Sequence, residues 1–283
     1  MSWNQRLGTY GVWRGVNLVD PATAKTIEDL GYGTIWQGGS PSSDLRPAEA
    51  LLAGTDSITI ATGIVNIWTS DAVELADSYH RIQAEYPGRL LLGIGSGHRE
   101  ADAARTRPIQ AMSRYLDILD ERGVPAEDRV LSALGPHMLA MAAERSAGTH
   151  PYLTVPSQTQ QARATLGSDA LVAPEQTVVL DIDPETARRS ARAFLAHHLN
   201  LVNYTNTMKR AGFTTEDIAN GGSDHLVDRL VAHGDAATIA AAVRAHLAAG
   251  ADHVCVHVQP ADSDVIAALR ALADEFQLRR SQR

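Results

Sequence analysis

Ile58-Thr-Ile-Ala-Thr-Gly63-Ile-Val-Asn66-Ile-Trp68 begins as a β-branched run bounded by turn formers. That composition predicts a buried strand from Ile58 to Thr62, stopped at Gly63, where the backbone must do something unusual. A glycine at a strand's carboxyl end, followed by Ile64-Val65, then Asn66 and Trp68, suits backbone lying close to a flat ligand, with a polar side chain and an aromatic beside it. The plainer alternative is a strand that ends in a glycine turn.

Moving outward, the same strand-then-helix alternation repeats. Upstream, Leu7 to Trp13 predicts a strand reaching Arg14-Gly15, and Asp20-Pro21 opens a helix through Leu30. Gly33 to Trp36 predicts a second strand running into Gln37-Gly38-Gly39-Ser40-Pro41, a loop with little side chain, and Arg46 to Ala53 a short helix. Downstream, Ser70 is expected to cap a helix through Tyr86, and Arg89 to Ile94 is a fourth strand pointing into Gly95-Ser96-Gly97-His98. Helices Ala104 to Arg122, His137 to Ala147, Ser157 to Leu166 and Asp183 to His197 then separate strands Arg129 to Leu134, Thr149 to Thr154 and Gln176 to Asp181. The pattern loosens between Asn200 and Ser223, an excursion expected to pack over the main body and to select substrate. Asp235 caps an alanine-rich helix ending at Gly250, Asp252 to Val258 is the eighth strand, and Val265 to Leu278 the last helix.

Eight strands separated by helices, at spacings of roughly 20 to 40 residues, are what an α/β fold of the (β/α)8 barrel type requires. No Gly-x-Gly-x-x-Gly opens the first helix, which counts against a doubly wound sheet binding a dinucleotide. The 283 residues are therefore expected to form one barrel domain spanning 1–283.

The composition is that of a globular protein, 44% hydrophobic, and a formal net charge of -8 argues against a nucleic-acid surface. No stretch approaches the roughly 18 uninterrupted apolar residues of a membrane span, and Met1 to Arg6 holds no apolar run, so a cytoplasmic protein without membrane contact is expected. The lone Cys255 lies in the apolar run Val254-Cys-Val256 and reads as core. His197 and His198 are neighbours on different faces of a helix, and no other histidine pair has a metal-ligand spacing with a supporting carboxylate, so no metal is expected. Neither a Gly-x-Ser-x-Gly elbow nor a partner for Ser96 supports hydrolase chemistry.

In a barrel, residues just beyond the strand carboxyl ends converge on one face. Here that face holds Trp13, Arg14, Gln37 to Ser40, Gly63 to Asn66, Gly95 to His98, Leu134, Gly135, Tyr152, Thr154 and His257. It is rich in glycine, aromatics and histidine and poor in carboxylates, the makings of a pocket for a large planar ligand. Trp13, Trp36 and Trp68 are expected to form a wall against its rings. Leu134-Gly135-Pro136 leads into a helix that is either an ordinary proline-started one or one whose first N–H groups make a phosphate site, with Ser132 and Ala133 small enough to admit the ligand. His257 ends an alternating apolar strand, where an imidazole can donate a proton near neutral pH.

These motifs carry a resemblance. Gly31 to Pro41, Ala61 to Trp68, Pro87 to His98, Ala133 to Pro136 and Ala147 to Tyr152 together resemble the luciferase-like superfamily, and more narrowly its deazaflavin-dependent oxidoreductases, abundant in actinobacteria, which use coenzyme F420. The resemblance implies a barrel with the deazaflavin at the carboxyl ends of the strands, a non-prolyl cis peptide at Gly63-Ile64 under the ring, and homodimerisation. It implies cofactor contacts from Gly38, Gly63, Ile64, Asn66, Ser96, Gly97, His98 and Tyr152, a phosphate segment at Ala133, Leu134 and Gly135, and catalytic roles for His98 and His257. Relatives that oxidise sugar phosphates carry glutamate at the position of His98 and an acidic residue at that of Trp13. Their proton relay and substrate therefore do not transfer. The implied activity is hydride transfer between the deazaflavin C5 and a small organic substrate; an FMN-dependent monooxygenase and a non-catalytic F420 carrier are the alternatives.

Overall fold

The computed structural model describes residues 3–97 and 107–278. Its amino-terminal half runs α1 (Trp3–Arg6), β1 (Tyr10–Gly15), α2 (Pro21–Asp29), β2 (Thr34–Gly38), α3 (Arg46–Ala53), β3 (Thr59–Gly63), β4 (Val65–Asn66), α4 (Ala72–Glu85), β5 (Leu90–Gly95) and α5 (Pro108–Glu121). It continues through β6 (Arg129–Leu131), α6 (Pro136–Arg145), β7 (Gly148–Thr149), α7 (Pro156–Leu166), β8 (Leu171–Val172), β9 (Glu175–Leu180) and α8 (Pro184–His198). The remainder is α9 (Val202–Arg210), α10 (Thr215–Ile218), α11 (Asp224–Leu230), β10 (Val231–Gly234), α12 (Ala236–Ala248), β11 (Val254–Gln259) and α13 (Val265–Glu275). Among the described residues no helix is long and apolar enough to cross a membrane.

All strand pairings are parallel, and they close a ring. β1 lies between β11 and β2, then β3, β5, β6, β7 and β8 follow in order. β8 and β9 are one strand interrupted at Ala173-Pro174, because a proline has no N–H to give the ladder, and β9 pairs with β11. The expected (β/α)8 barrel is the observed architecture, with β10 added beside β9.

Strand alternation divides the apolar residues between two layers. Val12, Ile35, Ile60, Leu92 and Val256 face the helices, while Trp36, Ala61, Leu91, Val130 and Cys255 fill the barrel interior, where Trp3 and Leu7 join them. A third core, built on α8, α9 and α11, holds Leu195, Tyr204, Met208 and Leu226 together with Leu153 and Val155. This is the expected excursion, extended through α11, and it forms a cap that reaches the segment after β7.

The β3–β5 pairing breaks in a way that shapes the site. Ala61 pairs with Leu91 and Val65 with Ile94, so β3–β4 takes four steps where β5 takes three. The extra residue makes a β-bulge at Thr62-Gly63-Ile64, and the Gly63–Ile64 peptide is cis, as the resemblance implies. Thr62 repairs the broken ladder: its hydroxyl donates to the Gly93 carbonyl and accepts from the Gly93 N–H, both at 2.8 Å.

Several boundaries differ from expectation. Asp71 and not Ser70 caps α4, accepting from the N–H groups of Val73 and Glu74 at 2.9 Å; a carboxylate reaches both donors where a hydroxyl would reach one. α5 is described from Pro108, after Arg107 in the left-handed region, and the start expected at Ala104 lies outside the described residues. The strand expected from Thr149 to Thr154 is confined to β7, since Pro151 has no ladder donor, Leu153 takes φ +53, and the Leu153 N–H goes to the Glu175 carboxylate.

The entry to β3 is anchored by a buried charge. Glu28 of α2 accepts from the backbone N–H groups of Asp56, Ser57 and Ile58 and from Lys25 Nζ at 2.8 Å. Burial alone would raise its pKa, but the Lys25 ammonium and these N–H donors bring it down to about 2. A carboxyl depressed below its unfolded value stabilises the fold above about pH 4.5 and loses that contribution as pH falls toward 2. Glu28→Gln is expected to lower stability at pH 7 by about 2–3 kcal/mol. Urea unfolding at pH 7, 4 and 2.5 should show the gap to wild type closing as the pH drops; a gap independent of pH would contradict the assignment.

Candidate functional site

The carboxyl ends of the strands bring a compact group of side chains to the barrel mouth. Trp13, on β1, lies across Gly38 of β2, where a Cβ would sit 1.7 Å from its ring, and against Gly63, where a Cβ would lie 2.9 Å from Trp13 Nε1 and 3.3 Å from His150 Nε2. Gly38 and Gly63 therefore make room for an indole packed over the bulge. Ile64 turns the other way, onto β5: a Cβ at Gly95 would meet its side chain at 2.7 Å, and one at Gly93 would meet the Thr62 carbonyl oxygen at 1.9 Å. Gly93 and Gly95 are thus the seat of the bulge.

Beside Trp13 stands His257 of β11, ring centroids 4.2 Å apart, with Tyr152 at 5.4 Å from Trp13 and Phe194 of α8 edge-on to His257 at 5.3 Å. His257 Nδ1 lies 3.1 Å from the Tyr152 hydroxyl and 3.4 Å from Glu175 Oε1, and its Nε2 lies 2.6 Å from the Gln259 side-chain nitrogen. Glu175 is 1% exposed, so a carboxylate is held inside the barrel mouth with an imidazole beside it. Burial, and then the Glu175 charge, push the Tyr152 phenol well above its ordinary pKa. From the cap, His198 and Tyr204 approach Tyr152 at 5.8 and 6.1 Å.

A level deeper, His150 is fully buried and stacked on Trp36 with centroids 3.8 Å apart, its Nδ1 2.7 Å from the Ala173 carbonyl. Burial lowers its pKa to about 4, so the ring is neutral and Nδ1–H is the donor. Its Nε2 and Trp13 Nε1 are both buried, without a hydrogen-bond partner among the described residues. Trp36 is wholly inside the barrel, with Nε1 donating to His253 Nε2 at 3.0 Å, and is no part of a ligand wall; sequence position at a strand end did not reveal that its side chain points inward.

The other expected contacts gather in two neighbouring places. Asn66 Oδ1 accepts from the Trp68 N–H at 3.1 Å, and Trp68 Nε1 donates to the Ser96 carbonyl at 2.8 Å, tying the turn after β4 to the loop after β5. Gly97 follows at φ +56, a conformation that favours glycine, and His98 lies outside the described residues. At the start of α6, Gly135 is the N-cap with no side-chain cap, and none of the described residues lies within 4 Å of where its Cβ would be. Ala133 is buried there, Leu134 packs against the cap core that also takes Tyr152, and Arg210 of α9 donates to the Leu134 carbonyl at 2.9 Å. A parallel strand delivers the next helix's amino terminus to the barrel mouth, so these uncapped N–H groups and the guanidinium sit at the same end as His257.

Glu175, Gln259, Phe194, His198 and Tyr204 were missed from sequence. Glu175 had a signal: it opens the β-branched run Gln176-Thr-Val-Val-Leu180 two residues before Thr177, so strand alternation puts it on the inward face.

With this geometry in view, residues 21–122 match the luciferase-like monooxygenase family. No curated protein sequence matches the chain. Among solved structures, an F420-dependent secondary alcohol dehydrogenase in complex with an F420–acetone adduct is similar at 14% identity and TM-score 0.72, covering 96% of this chain and 99% of that one. The coenzyme F420-dependent tetrahydromethanopterin reductase from Methanopyrus kandleri is similar at 18% identity and TM-score 0.75, with coverage of 96% and 99%. The FMN-bound oxygenating constituent of 3,6-diketocamphane monooxygenase from Pseudomonas putida, a type II Baeyer–Villiger monooxygenase, is similar at 15% identity and TM-score 0.68, with coverage of 97% and 100%. At these identities the likeness shows a shared barrel fold over nearly the whole chain.

Proposed function

We propose that this luciferase-like chain is an oxidoreductase that binds coenzyme F420 at the barrel mouth and exchanges a hydride with a small organic substrate. The observation that carries the reading is the uncapped start of α6, open at Gly135 and flanked by Arg210, at the same end of the barrel as the β3 bulge and His257. An anionic tail would take the free N–H groups of that helix, beside Ala133, Leu134 and Gly135. A planar ring would lie toward Gly63-Ile64, with Ser96 and Gly97 at its side. The donor set fits: neutral aromatics, an amide and backbone N–H groups suit an uncharged ring with a phosphate at one end.

When bound, the deazaflavin supplies a hydride acceptor or donor at C5. The chain's own contribution is position and exclusion of water. Trp13, Tyr152 and Phe194 would shield the mouth, Asn66 and Trp68 fix the turn beside it, and His257 is held among them beside Tyr152; of the two histidines His98 and His257, His98, from the loop after β5, is the one proposed to exchange a proton. The same proposal includes a homodimer, checked by sedimentation mass at micromolar concentration.

The family match and the FMN-bound neighbour favour a second reading, an FMN-dependent monooxygenase. The two separate on oxygen. Purified protein mixed with reduced FMN in air-saturated buffer is expected to leave the free-flavin rate of oxygen uptake unchanged; protein-dependent uptake with substrate turnover would replace the deazaflavin reading with the second.

A further inference from the structure

The network around His257 takes its direction from the buried Glu175 beside Nδ1. Glu175 accepts at both carboxylate oxygens, Oε1 from Thr177 Oγ1 at 2.5 Å and Oε2 from the Leu153 N–H at 3.2 Å. Accepting at both oxygens is what the ionised form does. Among the described residues the one ion pair it makes is with His257 Nδ1, at 3.4 Å. The other rings packed on His257, Trp13 from β1 and Phe194 from α8, carry no charge.

A hydrogen on Nδ1 follows. Without it, the Nδ1 lone pair and the carboxylate would face each other across 3.4 Å as two acceptors. With it, in the neutral or the protonated ring alike, Nδ1–H donates to the Tyr152 oxygen at 3.1 Å. Tyr152 then accepts, and its own O–H is spent on nothing within the network. The Gln259 side-chain amide lies 2.6 Å from Nε2 and can turn its N–H to a bare Nε2.

We propose that Glu175, acting through His257, orients Tyr152 as a hydrogen-bond donor to an acceptor atom on the ring edge of the bound coenzyme. Glu175 and His257 are positioning residues; Tyr152 touches the ligand. Burial holds the phenol in its protonated form, so the donor persists through neutral and alkaline pH.

The use of that donor rests on the F420 reading; its direction does not. In the full chain labelled with 15N-histidine, long-range 1H–15N spectra are expected to show the His257 hydrogen on Nδ1. Glu175→Gln, whose amide can donate to Nδ1, should move the neutral ring's hydrogen mostly to Nε2. Titrated with oxidised F420, Tyr152→Phe should bind about tenfold more weakly, the loss of one hydrogen bond, Glu175→Gln similarly, and the double variant no more weakly than either. A wild-type hydrogen on Nε2, an unshifted tautomer in a folded Glu175→Gln, or full affinity in Tyr152→Phe would each overturn the proposal. If Glu175→Gln does not fold, the wild-type spectrum and Tyr152→Phe still decide it. Failure of wild type to bind F420 with Nδ1–H intact would remove the coenzyme reading and the donor's use with it.

Discussion

Gly93→Ala is expected to be a severely damaging single-methyl change, costing about 3 kcal/mol or more, enough to leave a domain of ordinary stability partly unfolded. The added Cβ would lie 1.9 Å from the Thr62 carbonyl oxygen and 3.4 Å from the Ile64 side chain, so backbone must move. It cannot move cheaply, because the Thr62 hydroxyl holds both the N–H and the carbonyl of Gly93. Gly95→Ala meets the Ile64 side chain at 2.7 Å, which can yield, and should cost less. Gly135→Ala, with nothing within 4 Å and φ at -116, should be near neutral. Urea midpoints in that order support the bulge and its glycine seat. Equal midpoints for Gly93→Ala and Gly135→Ala would refute them.

Gly135→Asp should separate stability from binding in opposite directions. The residue already has N-cap geometry, φ -116 and ψ 160, with no side chain to accept from α6. An aspartate there caps the helix and complements its dipole, a gain of about 0.5–1 kcal/mol in thermal or urea unfolding. The same carboxylate occupies the N–H groups proposed for the coenzyme phosphate and repels it. Like charges forced together cost several kcal/mol, so F420 binding should weaken by about 100-fold or more. Gly135→Asn caps without the charge and should lose far less. A Gly135→Asp protein that binds F420 as wild type does would place the anionic tail elsewhere.

Much of the architecture was legible because barrel strands and helices leave local marks. Asp20-Pro21, Asp183-Pro184 and Asp235 announced helices that begin where expected, each aspartate accepting from the N–H three residues on. What escaped depends on three-dimensional neighbours. Trp36 and Trp13 both fall near strand ends, yet one is wholly inside the barrel and the other is half-buried at the mouth, a distinction set by side-chain direction and the space over Gly38 and Gly63. Gly93 read only as part of the fourth strand and Gly95 as the opening of a ligand-facing loop, whereas they receive Thr62 and Ile64 from a strand about 30 residues away in sequence. Leu153 to Thr154 looked like strand, but the carboxylate that takes the Leu153 N–H lies on β9. His257 was found by its alternating strand; its partners Glu175, Tyr152 and Gln259 come from β9, the segment after β7, and β11, and only the closed ring brings them together.

Whether the barrel mouth holds a deazaflavin is decided by fluorescence titration of the purified chain with oxidised F420, beside FMN under identical salt and pH. Saturable micromolar or tighter binding of F420 with little binding of FMN is expected; preference for FMN, or binding of neither, would show that the mouth is not a deazaflavin site.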